Sequence, residues 1–308
     1  MTSTETASDP RRVAVFTHTH REEAIAAATR LISDFSRAGL VPLVPPQDRE
    51  VLDLNGSRVE ELRDPLTSDS CELVVVLGGD GTILRGAEQA LAADLPLLGV
   101  NLGHVGFLAE AESSQLEEIS THVVAGDYQV EERFTVEVTV AMDGEPLWSS
   151  FAVNEVSIEK AARERMVEVL VGVDGEPLSR WGCDGVLIAT PTGSTAYAFS
   201  AGGPVMAPSL DALLLLPLSA HALFARPMVL APDQRVDIKI LDQPTNAGVV
   251  WCDGRRTADL PVGSVVSVRR GSHRLRLARL SSHSFTERLV RKFGLRVEGW
   301  RGAGDIRR

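Results

Sequence analysis

The sequence predicts two domains: an open, Rossmann-like α/β domain at the N-terminus and a mostly β domain after it. Up to about residue 130, short apolar runs alternate with helical patterns. Beyond it, strand-like segments follow one another with few helix signals. A length of 308 residues is also more typical of two hydrophobic cores than of one.

The α/β domain is expected over residues 11–130, after a disordered polar leader over residues 1–10. Its most distinctive strand is Leu73-Val-Val-Val-Leu77, a continuous apolar run typical of parallel strands that are covered on both faces. The other predicted strands are 13–16, 40–44 and 96–100, and the predicted helices are 22–38 and 82–93.

The β-rich domain is expected over residues 131–283, where apolar and polar residues alternate from Phe134 onward. The pentapeptide Asp-Gly-Glu-Pro-Leu occurs at 143–147 and again at 174–178, each time after a β-rich run. We therefore expect two hairpin turns with Asp-Gly at their centres. Further strands are predicted at 167–173, 186–190, 236–241, 248–252, 264–268 and 274–280.

The C-terminal segment, residues 284–308, is expected to return to the α/β domain, and packing on the β-rich domain is the alternative. Ser284 and Glu287 have the spacing of a capping box at the start of a helix. Phe285, Leu289 and Phe293 share one face of that helix and should be buried against the α/β domain. The exposed face should then carry Arg288, Arg291 and Lys292.

The composition excludes several classes of function. A net charge of −11 argues against nucleic-acid or membrane-surface binding, and no apolar stretch approaches membrane-spanning length. There are only three lysines and no Gly-Lys-Ser/Thr triplet, so a Walker P-loop is excluded. The three widely spaced cysteines are expected to be small buried thiols in a reducing cytoplasm.

The strongest motif is Gly78-Gly79-Asp80-Gly81-Thr82, which stands where a buried strand is followed by a helix. In open α/β sheets ligands bind beyond the carboxyl ends of strands, and glycines let a phosphate approach the backbone. A carboxylate there repels phosphate unless it accepts a proton or attracts a divalent cation, and both roles belong to phosphoryl transfer. The alternative is that Asp80 only shapes a turn.

A nicotinamide-dehydrogenase fingerprint is set aside. That motif requires G-x-G-x-x-G, whereas the segment that begins at Gly79 has Leu84 in the last position. The acidic residue within it is also unsuited to holding a pyrophosphate.

Two more segments are candidates for binding a polar ligand. The loop Thr190–Pro204 is dense in Gly, Ser, Thr and Ala, which permits close approach and supplies hydroxyls. Tyr197 within it could stack on a base. Asn154 and Glu155 interrupt a strand-like run upstream, although one of two neighbouring strand residues faces solvent in any case.

Together these segments make the chain resemble the NAD kinases, in particular the actinobacterial ATP- or polyphosphate-dependent ones, over residues 70–300. Gly-Gly-Asp-Gly-Thr is shared with other kinases, and the Thr190–Pro204 loop with Asn-Glu upstream is more specific. The other matching segments are Asn101–Leu108, His221–Pro227 and Cys252-Asp-Gly254.

The resemblance implies that a phosphoryl group passes from ATP or polyphosphate to the 2′-hydroxyl of the adenosine ribose of NAD, giving NADP. Asp80 would be the catalytic proton acceptor. The implied NAD-binding residues are Asp80, Gly81, Arg85, Asn154, Glu155, Arg165, Asp184, Thr195, Ala196, Tyr197 and Ser200. Candidate phosphate-binding residues are Gly78, Gly79, Thr82 and Arg255, the last standing where the family usually has Gln.

The resemblance also implies a homo-oligomer, a dimer or a tetramer, with sites near subunit contacts. No built-in metal site is expected, because the histidines lack partners at ligand spacing; Mg²⁺ or Mn²⁺ should arrive with the phosphoryl donor. Two alternatives remain: a module that binds a dinucleotide without turnover, and a lipid kinase, for which no acyl groove is identified.

Overall fold

The computed structural model describes residues 9–63, 65–102, 108–112, 115–162, 165–241, 248–280 and 284–297. The chain forms two compact units, Met1–Glu131 with Leu275–Arg308 and Glu132–Arg274. In the described part of the chain, no helix is long and apolar enough to cross a membrane. Most of the predicted leader and residues 103–107 of the Asn101–Leu108 motif lie outside the described residues.

The regular elements are numbered here in chain order. The strands are β1 (Arg12–Thr17), β2 (Val41–Val44), β3 (Glu60–Glu61), β4 (Leu73–Leu77), β5 (Leu97–Asn101), β6 (Ala109–Glu112), β7 (Gln129–Arg133), β8 (Val136–Met142), β9 (Glu145–Ala152), β10 (Glu155–Lys160), β11 (Val167–Val173), β12 (Glu176–Cys183), β13 (Gly185–Ala189), β14 (Leu213–Leu218), β15 (Met228–Leu230), β16 (Val236–Ile240), β17 (Gly248–Cys252), β18 (Arg256–Leu260), β19 (Val265–Arg270) and β20 (Leu275–Arg279). The helices are α1 (Glu22–Arg37), α2 (Pro46–Arg49), α3 (Asp80–Ala92), α4 (Leu116–Ala125), α5 (Tyr197–Ser200) and α6 (Phe285–Phe293).

The first unit is built on one sheet with the strand order β3-β2-β1-β4-β5-β20-β7, and β6 also pairs with β5. The central pairs, β1 with β2 and with β4, and β4 with β5, are parallel. Every residue of β4 and β5 is buried, as expected for strands covered on both faces. The predicted α/β class of this part of the chain is confirmed.

One strand belongs to a different unit from the one predicted. Residues 274–280 were expected in the β-rich domain, but β20 pairs in parallel with β5 in the first unit. The second unit accordingly ends at Arg274 rather than at residue 283. Leu275 and Leu277 mark a buried strand, but periodicity does not indicate which sheet a strand will join.

The second unit contains two six-stranded sheets, β15-β14-β13-β10-β17-β18 and β12-β11-β16-β19-β8-β9. One buried apolar cluster draws side chains from both sheets, including the fully buried Trp181. The pairings resolved within both sheets are antiparallel, which confirms the predicted β-rich class.

Both predicted Asp-Gly hairpin turns are confirmed. They join β8 to β9 and β11 to β12, which pair antiparallel. In each turn the Asp has φ 53° and the Gly has φ 85°. Positive φ at both central residues defines a type I′ turn, whose twist matches that of the flanking strands. The repeat therefore reflects the same local turn chemistry used twice.

The C-terminal helix begins at the predicted capping box. Ser284 Oγ accepts from the Glu287 amide at 3.2 Å, and the Ser284 amide donates to Glu287 Oε2 at 2.7 Å. Gly294 ends the helix in the left-handed conformation, with φ 57°. Phe285, Leu289 and Phe293 are only partly buried, and no residue of α6 is fully buried. The prediction that these three side chains are buried was therefore wrong, because each keeps part of its surface exposed.

Close packing of α3 on β4 generates a stability prediction. An ideal Cβ at Gly86 would lie 2.3 Å from Val76 Cγ2. Gly86→Ala should lower the free energy of unfolding by about 1–3 kcal/mol, the range for overpacking, although alanine is normally the better helix former. Chemical denaturation measures the change.

The double variant Val76→Ala/Gly86→Ala serves as the control, because it removes the methyl group that the new Cβ meets. Its destabilisation should be smaller than the sum of the two single changes. Additive effects would contradict a steric origin.

Candidate active site

The strand order of the first unit creates a crevice at one edge of the sheet. β2 and β4 lie on opposite sides of β1, so the connections reverse direction between the carboxyl ends of β1 and β4. Such a switch point is where open α/β sheets bind ligands. Thr17 ends β1, and the glycine-rich segment follows Leu77 at the end of β4.

The backbone of this segment is shaped to receive an anion. Gly78 must lack a side chain, because an ideal Cβ there would lie 2.7 Å from the Cβ and Oγ1 atoms of Thr82. Gly79 is the N-cap of α3 and offers no side chain to the helix end. The Thr82 amide donates to the Gly79 carbonyl at 2.9 Å. The amides of Asp80 and Gly81 thus remain at the positive end of the helix dipole.

Asp80 stands in the first turn of α3 with its two carboxylate oxygens in different environments. Oδ1 is buried and has no hydrogen-bond partner among the described residues. Oδ2 lies 3.5 Å from the Nζ atom of Lys292 on α6, and the Asp80 side chain is 43% exposed. The expectation that Lys292 faces solvent was wrong. The two oxygens of the carboxylate thus differ: Oδ1 has no partner within the described residues, and Oδ2 faces a cation.

Arg85, expected to contact the ligand, has protein partners at the same edge of the sheet. Its Nη2 atom donates to the Thr17 carbonyl at 2.8 Å and lies 3.3 Å from Asp48 Oδ2. Asp48 also accepts from the Thr17 amide at 2.8 Å. Burial raises the pKa of Asp48, and the Thr17 amide and Arg85 oppose that rise. In this structure Arg85 therefore helps to fix the ends of β1 and α2.

Asn101 ends β5 at the same edge of the sheet. It is buried, and its Nδ2 atom has no hydrogen-bond partner among the described residues. An amide left unsatisfied at the carboxyl end of a central strand is available to a ligand.

In the second unit, Asn154 and Glu155 are held from one side by Asp253. The Asp253 carboxylate accepts from the amides of Val153 at 3.0 Å, Asn154 at 2.7 Å and Glu155 at 3.3 Å. Arg256 Nη2 donates to the same carboxylate at 2.9 Å. Asp253 is itself in the left-handed conformation, with φ 53°, in the turn between β17 and β18. Its carboxylate thus fixes the backbone on which both predicted ligand residues stand.

The Thr190–Pro204 loop holds the same two residues from the other side. Thr190 Oγ1 donates to the Val153 carbonyl at 2.6 Å and accepts from the Gly193 amide at 3.0 Å. An ideal Cβ at Gly193 would lie 1.9 Å from the Asn154 carbonyl oxygen, so only glycine fits there. The loop also packs Ala198 on Leu187 and other apolar residues of its sheet. It is a built part of the unit rather than a loose connection.

Glu155 in the second unit has a strongly raised pKa. It is buried, and burial together with the neighbouring Asp253 raises its pKa to about 8, against a smaller opposing effect from the Tyr197 amide. Its Oε2 atom has no hydrogen-bond partner among the described residues. At neutral pH the side chain is therefore mostly a protonated carboxyl that can hydrogen-bond to a ligand hydroxyl.

Three other predicted residues, Asp184, Tyr197 and Ser200, line one open cavity of about 710 Å³. Lys160 lies at its wall and donates to Asp184 Oδ1 at 2.5 Å. This hydrogen bond lowers the pKa of Asp184. Partial burial raises the pKa of Tyr197, whose side chain remains accessible. The cavity is of the size that holds a small ligand such as a nucleotide.

The remaining predicted residues are less closely tied to this cavity. Thr195 Oγ1 donates to the Thr192 carbonyl at 3.2 Å, and Ala196 joins a short 3₁₀ turn to α5. Arg165 and Arg255 are both exposed, the first just before β11 and the second in the β17–β18 turn.

Sequence reasoning missed the arginine that pairs with Asp253 in the second unit. Arg256, rather than Arg255, pairs with Asp253, and its guanidinium lies 4.0 Å from the centre of the Phe151 ring. It also donates to the Phe151 carbonyl at 2.8 Å. The available signal was the Asp-Gly pair at the end of a strand, since Asp253 there needs an internal counter-charge when buried.

No metal cluster is built into the described residues, where no group of three His, Cys, Asp or Glu side chains converges. All three cysteines are free and buried, as predicted. The arrangement thus consists of a carboxylate at a helix start in one unit and a nucleotide-sized polar cavity in the other.

Comparison with known proteins identifies the family. The model for the ATP-NAD kinase N-terminal domain matches residues 13–128, and that for the ATP-NAD kinase C-terminal domain matches residues 153–280. The chain is 50% identical over 301 residues to the NAD kinase of Cutibacterium acnes, covering 97% of this chain and 94% of the relative.

Solved structures share the fold. The crystal structure of yeast NADH kinase complexed with NADH aligns with a TM-score of 0.83 at 24% identity, over 95% of this chain and 90% of that one. An NAD kinase from Archaeoglobus fulgidus in complex with ATP aligns with a TM-score of 0.66 at 25% identity, over 92% and 97% of the two chains. With both halves matched in order and half of its residues shared with a bacterial relative, this chain belongs to the NAD kinase family.

Proposed function

We propose that this NAD kinase transfers the terminal phosphoryl group of ATP or inorganic polyphosphate to the 2′-hydroxyl of the adenosine ribose of NAD, giving NADP. The observation that carries the proposal is Asp80, a carboxylate with one unpartnered oxygen at the start of a helix beside the sheet's switch point. A protein that only bound a dinucleotide would gain little from a carboxylate placed next to phosphate.

In the proposed step, Asp80 accepts the proton of the 2′-hydroxyl as the ribose oxygen forms its bond to the terminal phosphorus. The bond from that phosphorus to the bridging oxygen breaks, and ADP, or a polyphosphate shorter by one unit, leaves with the electron pair. The amides of Asp80 and Gly81 at the start of α3 favour the charge on the phosphates. Gly78 and Gly79 let the phosphates approach the backbone.

The second unit supplies groups suited to a nucleoside. Glu155 as a protonated carboxyl, together with Asn154, offers hydrogen bonds to a ribose or a base. The ring of Tyr197 and the polar atoms of Asp184 and Ser200 surround a cavity in which such a group fits. We assign adenosine binding to these residues, with Thr195, Ala196 and Arg165 in supporting roles.

ATP is the donor with the more direct support, because the Archaeoglobus fulgidus relative was solved in complex with ATP. A backbone cradle for phosphates also accepts polyphosphate. For this reason both donors belong in the first assay, which measures NADP formed from NAD, Mg²⁺ and either donor.

Mg²⁺ or Mn²⁺ is expected to enter with the donor. Asp80 Oδ1 is the one carboxylate oxygen of the first unit's site that is buried and unpartnered among the described residues, so the protein offers the ion little beyond this group. Mg²⁺ characteristically keeps its waters and binds through one or two carboxylates and substrate phosphates. When bound, it would neutralise charge on the phosphates.

A homo-oligomer is part of the proposal. Leu223, Phe224 and Val229 expose large apolar surfaces in and just before β15, an edge strand of its sheet. Exposed apolar groups beside an open strand edge favour association with another chain. The three free buried cysteines are consistent with a reducing cytoplasm.

The role of Asp80 is tested by Asp80→Asn, which keeps the shape but removes proton acceptance. We expect kcat to fall by at least ~10²-fold while NAD still binds, measured by steady-state assay and calorimetry. Asp94→Asn is the matched control, since Asp94 follows the other end of α3 and its side chain is 71% exposed. If Asp80→Asn turned over at nearly the wild-type rate, Asp80 would not be the proton acceptor.

Glu155→Gln tests the buried carboxyl through pH-dependent stability. The pKa of Glu155 is raised from 4.5 to about 8 in the folded protein. The wild-type protein therefore loses stability as the pH rises from 4.5 to about 8, because the folded state holds the proton more tightly than the unfolded state does. Glutamine is neutral throughout. The free energy of unfolding of Glu155→Gln, relative to that of the wild type, should therefore increase between these pH values by up to about 1.4 kcal/mol per pH unit and then level off.

Denaturant titrations at several pH values measure this difference. Glu176→Gln, at the exposed first position of β12, is the control and should show no comparable trend. If the difference in free energy of unfolding between the Glu155 variant and the wild type did not change with pH, the raised pKa of Glu155 would be contradicted.

The acceptor is tested by competition among NAD, diacylglycerol and fructose 6-phosphate with one donor. Each buried polar group left unpaired by a wrong acceptor costs roughly 1–3 kcal/mol, and an acyl chain would leave several unpaired. We expect kcat/KM to favour NAD strongly. Comparable values for either competitor would overturn the proposed function.

A further inference from the structure

The C-terminal helix brings a cation to Asp80. Lys292 Nζ on α6 lies 3.5 Å from Asp80 Oδ2, and the lysine side chain is 27% exposed. The chain has only three lysines in 308 residues, so this placement is notable on composition alone. Both residues belong to the first unit, and α6 is held at its start by its capping box.

Phosphoryl transfer at Asp80 needs positive charge near the donor. The donor's phosphates would approach a carboxylate, in a chain that carries a net charge of −11 and lacks a Walker lysine. Arg85 on α3 is engaged by Asp48 and the Thr17 carbonyl. Among the described residues, Lys292 is the side-chain cation that lies within 4 Å of an Asp80 oxygen.

The geometry of the Asp80–Lys292 pair suits exchange of partners. Charge-assisted N–H···O bonds are usually about 2.7–2.9 Å long, whereas this separation is 3.5 Å and both side chains are partly exposed. A lysine ammonium is a point charge on a flexible stem with three donors, so it can change partner without moving its helix.

We propose, on the basis of the proposed function, that Lys292 is a donor-phosphate contact. In the free protein its ammonium rests on Asp80 Oδ2, and when the donor binds it moves to an oxygen of the transferred phosphoryl group. The move leaves Asp80 free of its internal counter-ion as the carboxylate accepts the hydroxyl proton. The C-terminal helix is therefore part of the site rather than only a packing element.

The experiment compares Lys292→Met, Lys292→Arg and the control Lys239→Met in the full-length chain. Lys239 is exposed on β16, so its replacement removes one lysine charge elsewhere. Donor kcat/KM should fall at least ~10-fold in Lys292→Met, the loss expected for one charge-assisted hydrogen bond. KM for NAD should stay within about twofold, and Lys292→Arg should recover most of the donor kcat/KM because it keeps the charge.

Calorimetry with a non-hydrolysable ATP analogue and Mg²⁺, without NAD, gives a readout independent of turnover. Lys292→Met should bind the analogue at least ~10-fold more weakly than the wild type. In a titration without Mg²⁺, where the loss of a metal-binding carboxylate has no effect, Asp80→Asn should bind the analogue more tightly than the wild type, because the lysine then has no carboxylate to leave. The combined variant Asp80→Asn/Lys292→Met should lose that gain.

The outcomes separate this inference from the proposed function. Wild-type analogue affinity and donor kcat/KM in Lys292→Met would overturn the lysine assignment. So would equal losses for NAD and donor accompanied by a lower Tm, which indicate a role in helix packing alone. A wild-type protein that phosphorylates NAD from neither donor would overturn the proposed function, and the analogue titrations would still decide whether Lys292 contacts phosphate.

Discussion

A buried aspartate that accepts backbone amides and faces an arginine fixes the candidate site in each of the two units. In the first unit Asp48 receives the Thr17 amide and lies 3.3 Å from Arg85. In the second, Asp253 receives three consecutive amides and Arg256. Buried carboxylates are costly unless hydrogen-bonded and paired, so these contacts lock the backbone firmly once formed. In the second unit, the predicted ligand residues Asn154 and Glu155 stand on the backbone that Asp253 holds.

The polar atoms of the candidate site differ in whether the protein already satisfies them. Arg85 Nη2, Arg256 Nη2 and Thr190 Oγ1 bond to protein partners. Asp80 Oδ1, Glu155 Oε2, Asn101 Nδ2 and also Arg85 Nε are buried and unpartnered within the described residues. Native proteins seldom leave buried polar atoms unsatisfied, and such atoms call for a ligand, a water or an ion. The structure shows which polar atoms at the ends of strands already have a hydrogen-bond partner in the protein. Residue type alone does not show this.

The sequence was most informative where the physics is local. The Asp-Gly turns at 143 and 174 and the capping box at Ser284 each depend on a few neighbouring residues, and the structure confirms them. The sheet that β20 joins depends on contacts with β5, far away in the chain, and periodicity carries no information about that partner.

That Lys292 faces Asp80 depends on tertiary packing, because the two residues are far apart in the chain. The Asp253–Arg256 pair is local, but residue type alone does not show which of the two neighbouring arginines faces the carboxylate. Asp80 and Glu155 were singled out because an acid beside glycines after a buried strand and a polar pair inside a strand are conflicts that need a functional explanation. Their roles stay predictions.

Arginine and lysine divide the work of positive charge in a chain with a net charge of −11. The guanidinium groups of Arg85 and Arg256 each contact a carboxylate and a backbone carbonyl at once, which suits a fixed fork of donors. Two of the three lysines, Lys160 and Lys292, instead face the part-exposed acids Asp184 and Asp80. On the proposal made above, Lys292 leaves Asp80 for a donor phosphate, whereas Arg85 and Arg256 keep their protein partners.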